Sequence, residues 1–153
     1  MARTEPEKTD DGRYIIVNGR RWRATDPAIP NELKDELVRE LTRARRAIKD
    51  GDETARASVH AAKTALGERG EPWWEQTDEG RRARAVAVTI TLLKNRDGNP
   101  VLVSDIARVV GGTEWHELVD LVADAIESEN PGDWVLEGKG DDQRVLYAAP
   151  SEC

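Results

Sequence analysis

Residues 101–118 read Val101-Leu102-Val103-Ser104-Asp105-Ile106-Ala107-Arg108-Val109-Val110-Gly111-Gly112-Thr113-Glu114-Trp115-His116-Glu117-Leu118. Three β-inclined residues come first, then a serine able to cap a helix, a short apolar-periodic run, two glycines that stop it, and a threonine able to cap the next. The spacing predicts an extended segment over 101–103, a small helix over 105–110 and a longer helix over 114–128. On that longer helix Trp115, Leu118, Val119, Val122, Ala125 and Ile126 form the inner face, while His116, Glu117, Asp120, Asp124 and Glu127 point outward.

Upstream, Ala83, Val86, Ala87, Ile90 and Leu93 recur at helical spacing over 79–95, and Asp97-Gly98-Asn99-Pro100 reads as a turn. Downstream, Asn130-Pro131-Gly132 is a second turn. Trp134-Val135-Leu136-Glu137 and Arg144-Val145-Leu146-Tyr147 are extended runs joined by a polar loop over 138–143. Helix, short strand, helix, glycine turn, helix and two-stranded hairpin is the order of a winged helix-turn-helix.

The first half has another character. Tyr14-Ile15-Ile16-Val17 and Arg20-Arg21-Trp22-Arg23 flank Asn18-Gly19, the pair best suited to a type I′ turn, so a β-hairpin is expected. A lone hairpin is marginal in water, so Ile16 and Trp22 are expected to pack on another element. Leu33, Leu37, Leu41, Ala44 and Ile48 then mark one helix face, with Pro30 in its first turn. Ala55, Val59, Ala62 and Leu66 mark a second helix that stops at Gly67, and the short link through Asp50-Gly51-Asp52 favours an antiparallel pair. The expected fold is therefore α+β: a disordered tail over 1–10, a hairpin and helical pair over 11–76, a winged helix-turn-helix over 77–149, and a tail over 150–153.

Gly12-Arg13-Tyr14, Asn18-Gly19-Arg20-Arg21-Trp22-Arg23-Ala24-Thr25-Asp26-Pro27 and Ala65-Leu66-Gly67-Glu68-Arg69-Gly70-Glu71-Pro72-Trp73-Trp74-Glu75 resemble a group of uncharacterised actinobacterial proteins often labelled biopolymer transporter Tol-like. That resemblance covers roughly residues 11 to 85. Ser104-Asp105-Ile106-Ala107-Arg108 with Gly111-Gly112 and Trp115-His116-Glu117-Leu118 is similar to a small bacterial winged-helix family of unknown function, over roughly residues 81 to 149.

Composition narrows the function. The 153 residues are 35% charged and 38% hydrophobic with a net charge of −7, enough apolar material to fold. No apolar run approaches the roughly 20 residues of a membrane span. The best, over 83–93, is broken by Arg84, Thr89 and Thr91, so a membrane component of the Tol type is not expected and a cytoplasmic protein is. The single cysteine is Cys153, which excludes an internal disulfide framework and a cysteine zinc site and implies an exposed thiol. His60 and His116 have no ligand-spaced partners. Gly138-Lys139-Gly140 lacks the third glycine of a dinucleotide loop, and the calcium-like start Asp50-Gly51-Asp52 has Ala55 and Ala61 where glycine and glutamate are needed. No enzyme, metal or cofactor is expected.

Charge placement separates the remaining functions. Residues 81–153 hold eight Lys and Arg against thirteen Asp and Glu, a net of −5, while the rest hold 15 against 17, a net of −2. Within the C-terminal half Arg81, Arg82, Arg84, Lys94, Arg96 and Arg108 stand as unopposed cations, and the longer helix contributes none. Positive charge gathers on the hairpin at Arg20, Arg21 and Arg23, and along the first helix at Arg39, Arg43, Arg45, Arg46 and Lys49, of which Arg39, Arg43 and then Arg46 or Lys49 form a stripe beside the apolar face. The plain reading of that helical stripe is a solvated face paired with Glu32, Asp35, Glu36 and Glu40, and the functional reading is a grip on an acidic or phosphate-bearing partner. Trp73 and Trp74 are adjacent; a clamp with one ring in each half is expected, with ligand contact as the alternative. Trp115 and Trp134 are expected in the core. The expected function is a non-catalytic adaptor or regulatory protein that binds another protein through the acidic winged helix, including His116, Glu117 and Asp120, through the basic stripe, or both. The alternative is a winged-helix transcriptional regulator on duplex DNA.

Overall fold

A computed structural model describes residues 7–130 and 133–147 and shows a mixed α+β protein. Strands β2 (Tyr14–Val17) and β3 (Arg20–Arg23) form the hairpin. Asn18 (φ 52°) and Gly19 (φ 78°) both take the left-handed backbone that a type I′ turn demands. Strand β1 (Glu7–Lys8) pairs antiparallel with β2, Glu7 opposite Ile16 and Lys8 opposite Ile15, and the sheet order is β1-β2-β3. The tail expected over 1–10 is thus corrected at its inner end. The hairpin covers one edge of β2 and leaves the other open, and backbone pairing can fill that edge with side chains that show no apolar pattern. Residues 1–6, the tail over 150–153 and Cys153 lie outside the described residues.

Pairing of Ile15 with Trp22 and of Val17 with Arg20 puts these four side chains on one sheet face, and Tyr14, Ile16, Arg21 and Arg23 on the other. Ile16 and Trp22 therefore cannot pack on one surface, and Trp22 stays 43% exposed.

Helix α1 (Asn31–Lys49) buries Leu33, Leu37, Leu41 and Ala44, as its periodicity requires; Pro30 sits just before it at the cap position. A 3-10 turn, Glu53–Ala55, leads into α2 (Arg56–Ala65), and Gly67 (φ 82°) ends it, with its N–H donating to the Thr64 carbonyl at 3.1 Å. Helix α3 (Asp78–Asn95) starts at Thr77, whose hydroxyl accepts from the Gly80 N–H at 3.1 Å. Then follow β4 (Val101–Leu102), α4 (Val103–Gly111), a 3-10 segment Gly112–Leu118, α5 (Val119–Ser128), β5 (Trp134–Glu137), a 3-10 turn Gly140–Asp142 and β6 (Arg144–Tyr147). The second sheet is antiparallel in the order β4-β6-β5.

Three expectations for this half are corrected. Helix α4 starts at Val103, so Ser104 is inside it and caps nothing. The helix expected over 114–128 starts at Val119, because Gly112–Leu118 is 3-10 and kinked at Glu114 (φ −99°, ψ 18°). Leu118 folds back so closely that its Cδ1 would lie 2.6 Å from a Cβ on Gly111, a contact that ties the irregular turn to α4 and that a side chain there would displace. Helix α3 is buried over more than the stripe expected: Ala83 is exposed, while Arg84, Ala85, Val88, Thr89, Thr91 and Leu92 are buried. The Thr89 and Thr91 hydroxyls donate to the Ala85 and Ala87 carbonyls at 2.8 Å, which satisfies them inside the core.

The wide burial follows from the position of α3, which touches α1, α2, α4 and α5. One apolar cluster runs from Ile29, Leu37 and Leu66 through Leu92 to Ile106, Ile126 and Val145. Residues of both expected parts, 11–76 and 77–149, contribute to this cluster.

A buried ion pair sits at the junction. Arg84, 4% exposed, meets Asp26 at 3.0 Å, donates Nε to the Ala65 carbonyl at 3.1 Å and Nη1 to Gln76 Oε1 at 3.1 Å. Gln76 in turn donates Nε2 to the Val110 carbonyl at 3.1 Å. Asp26 accepts from the Ala28 N–H at 2.9 Å and donates its own N–H to the Leu66 carbonyl at 2.9 Å. This chain of bonds reaches from the hairpin exit through α2 and α3 to the end of α4. A second tie, Arg96, clasps Glu36 through two 2.8 Å bonds and lies 3.7 Å from Asp105, joining α1, α3 and α4.

Removing one partner of a buried pair leaves the other charge uncompensated, which costs about 3–5 kcal/mol. Asp26→Ala should lose that much stability in chemical denaturation, and Asp26→Ala with Arg84→Met should lose less than the two single changes added together; strict additivity would deny the coupling. Hydrogen bonds from Arg96 hold the Glu36 carboxyl below its ordinary value of 4.5, with burial opposing them. Such a group adds stability above its unfolded pKa and loses it as pH falls through the lower folded value. Glu36→Gln should therefore lower stability at pH 7 by about 1–3 kcal/mol and flatten the loss the wild type shows below about pH 4.5, as followed by thermal melting across pH. An equally steep acid loss in both proteins would contradict this.

Candidate functional site

The hairpin arginines divide by role. Arg23 donates Nη1 to the Gly70 carbonyl at 2.8 Å and lies 5.9 Å from the Trp74 ring, so it braces the loop after α2. Arg21 lies over Tyr14 at 4.1 Å on the same sheet face. Arg20 is on the opposite face and lies over Trp22 at 4.7 Å.

The α1 stripe is likewise divided. Arg43 pairs with Glu40 at 2.7 Å, which satisfies a carboxylate only 1% exposed and raises the Arg43 pKa. Glu36, expected beside the stripe, is held by Arg96 instead. Arg39 and Arg46 are exposed and form no ion pair among the described residues.

Trp73 and Trp74 do not split between two halves. They pack edge to face at 5.0 Å, and both engage the hairpin side: Trp73 donates Nε1 to the Ala24 carbonyl at 3.0 Å, and Trp74 meets Tyr14 at 5.6 Å and Arg13 at 4.9 Å. Gly67 lets Trp73 approach, since a Cβ there would lie 3.1 Å from the ring. The free side of the pair borders a cavity of about 300 Å³ shared with Gln76, Arg81, Glu114, Glu117 and Leu118. The structure thus brings Trp73, Trp74 and Glu117 together. Of the other residues expected on the acidic helix, His116 stacks on Trp115 at 3.6 Å and Asp120 is exposed on α5. Trp134 is buried in the core, but Trp115 is half-buried, sandwiched by His116 and by Arg108 at 4.7 Å.

Most cations read as unopposed in the C-terminal half have partners. Arg81 pairs with Asp78 at 3.1 Å, Arg82 with Asp124 at 2.7 Å and with Ser128 Oγ at 2.7 Å, Arg84 with Asp26, and Arg96 with Glu36; Lys94 donates to Ser58 Oγ at 2.6 Å. Helix α5 keeps Asp120, Asp124 and Glu127 exposed, with Glu117 exposed just before it.

A different surface collects what remains. An open cleft of about 450 Å³ is lined by Ile15, Val17 and Trp22 from the hairpin, Arg45 from α1, and Lys63 and Glu68 from α2 and the loop after it. Lys63 Nζ lies 5.7 Å from the Trp22 ring. Burial first, then the positive charges of Arg45 and Arg69, push the Lys63 pKa below its ordinary value, and Glu68 opposes them. Glu68 is itself hydrogen-bonded by the Thr25 hydroxyl at 3.1 Å. Sequence reasoning singled out neither Trp22 nor Lys63 as surface residues. A tryptophan on a strand reads as core, and only the strand register shows that its face is the uncovered one.

Among the described residues no three His, Cys, Asp or Glu side chains stand close enough to hold a metal ion, and no helix is long and apolar enough to cross a membrane. No family model matches the chain, no curated protein matches it, and no solved structure matches it.

Proposed function

We propose that this protein is a cytoplasmic, non-catalytic adaptor or regulatory module that binds another protein, with a C-terminal half of winged-helix type. The allocation of charge carries the reading. The arginines of α3 are committed to carboxylates of the same molecule, and the outward side of α5 is acidic. A duplex presents one phosphate charge per roughly 1.7 Å, and an acidic reading helix repels it. Among the described residues, exposed cations without ion pairs are more numerous on the hairpin and α1, at Arg20, Arg21, Arg39, Arg45, Arg46 and Lys49, than in the C-terminal half, which keeps Lys94, Arg108 and Lys139.

One observation favours the DNA regulator as a second reading. The position of β4 between α3 and α4 and of the β5–β6 hairpin after α5 supports the winged-helix reading on which a DNA regulator would rest. Fold does not fix function, and the charge on the surface that would meet DNA outweighs the fold analogy.

Fluorescence anisotropy with labelled duplexes discriminates the two. Only weak, sequence-independent binding at physiological salt is expected, abolished by charge reversal at Arg20, Arg21 and Arg23 more than by changes at His116. A nanomolar complex that survives 150 mM salt and prefers one sequence would establish the regulator.

A further inference from the structure

We propose that the cleft walled by Trp22, Arg45 and Lys63 docks an acidic segment of a partner protein and seats one of its apolar side chains. This rests on the adaptor reading and assigns its binding site. The floor of Ile15, Val17 and Trp22 is apolar and leaves Trp22 exposed, an arrangement that buries apolar area only when something lies on it. The rim is cationic. Arg20, Arg45 and Lys63 surround that floor, and Glu68, the carboxylate that lines the cleft, is engaged by Thr25. Crowding of Lys63 by Arg45 and Arg69 means that an arriving carboxylate relieves a repulsion as well as forming a pair.

The surface continues along α1. Val38 is 41% exposed and stands seven residues before Arg45, hence on the same helix face, with Arg39 and Arg46 forming the neighbouring row. Two turns of helix separate them, about 10 Å, a distance an extended chain crosses in three residues. A segment with an apolar residue in the cleft and carboxylates on either side of it fits this track. A single-stranded nucleic acid fits less well. Its affinity would rest on successive bases stacked on aromatic rings, and the cleft lining offers a single ring, Trp22.

The test uses the full chain and a fluorescein-labelled twelve-residue probe of Asp and Glu with Leu at every fourth position. Anisotropy should show saturable binding at 50 mM salt, weakened at 200 mM. Arg45→Glu and Lys63→Glu should each weaken it about tenfold, and Trp22→Ala or a probe with Ser for Leu by a similar factor. Lys139→Glu, the same charge reversal at an exposed cation outside the cleft lining, should leave it unchanged. Arg45 is exposed, so Arg45→Glu reports on the cleft even if Trp22→Ala disturbs the hairpin. Absence of saturable binding, or binding indifferent to Arg45→Glu and Lys63→Glu, would overturn the cleft. If a Lys-and-Leu probe binds instead and is released by Glu117→Lys, the cleft falls and the adaptor reading stands on α5. Capture of a twelve-nucleotide oligo-dT in place of the acidic probe would remove both. Self-association of the protein, lost in Arg45→Glu, would replace the partner with a second copy and overturn the assignment.

Discussion

A guanidinium enclosed beneath the hairpin exit organises this protein. Arg84 lies on the helix that every other helix touches, and taking its charge out of water is costly unless Asp26 and the surrounding carbonyls receive it. Asp26 can do so only if the chain after β3 returns to the end of α2, where its N–H finds the Leu66 carbonyl. Gln76 then extends the same network to α4. The apolar cluster supplies the bulk of the favourable burial, but it is non-directional. The polar chain fixes how the first half is set against the second.

That arrangement has a consequence for charge. An arginine-rich α3 would suit a polyanion if its side chains were free, yet Arg82, Arg84 and Arg96, the last just past its end, each reach a carboxylate on another element. Cations spent in this way hold the fold, and the surface around α5 is left with its carboxylates. The hairpin and α1 show the converse. Their exposed arginines outnumber local partners, and Trp22 lies among them with two cations over its ring. Both halves of the functional reading thus follow from which charges the core has used.

How much of this was legible in the sequence depends on how local the cause is. Asn18-Gly19 announces its turn because two residues suffice to set the backbone. The leucines of α1 announce their helix because burial repeats every turn. Strand β1 was hidden, since Glu7 and Lys8 are recruited by an open edge and not by their own pattern. Arg84 and Glu40 read as surface charges, and only the fold shows the partners that let them be buried. The 3-10 segment before α5 escaped for a similar reason: Thr113 and the periodicity after it favour a helix, while the Leu118 contact with Gly111 is a tertiary preference. Of the candidate site residues, Arg20, Arg39 and Arg46 stay exposed on the hairpin and α1. Arg23 and Arg43 were absorbed into structure, and the exposed Trp22 could be found only from strand register.

The central claim is that both halves form one cooperative unit coupled through Arg84. Native-state hydrogen exchange tests it most directly, by comparing the opening free energies of the slowest amides in α2 with those in α5. The account predicts a common value for the two helices, falling together as denaturant is added. Exchange in α2 at a distinctly lower free energy, with α5 still protected, would show two independent cores and contradict it.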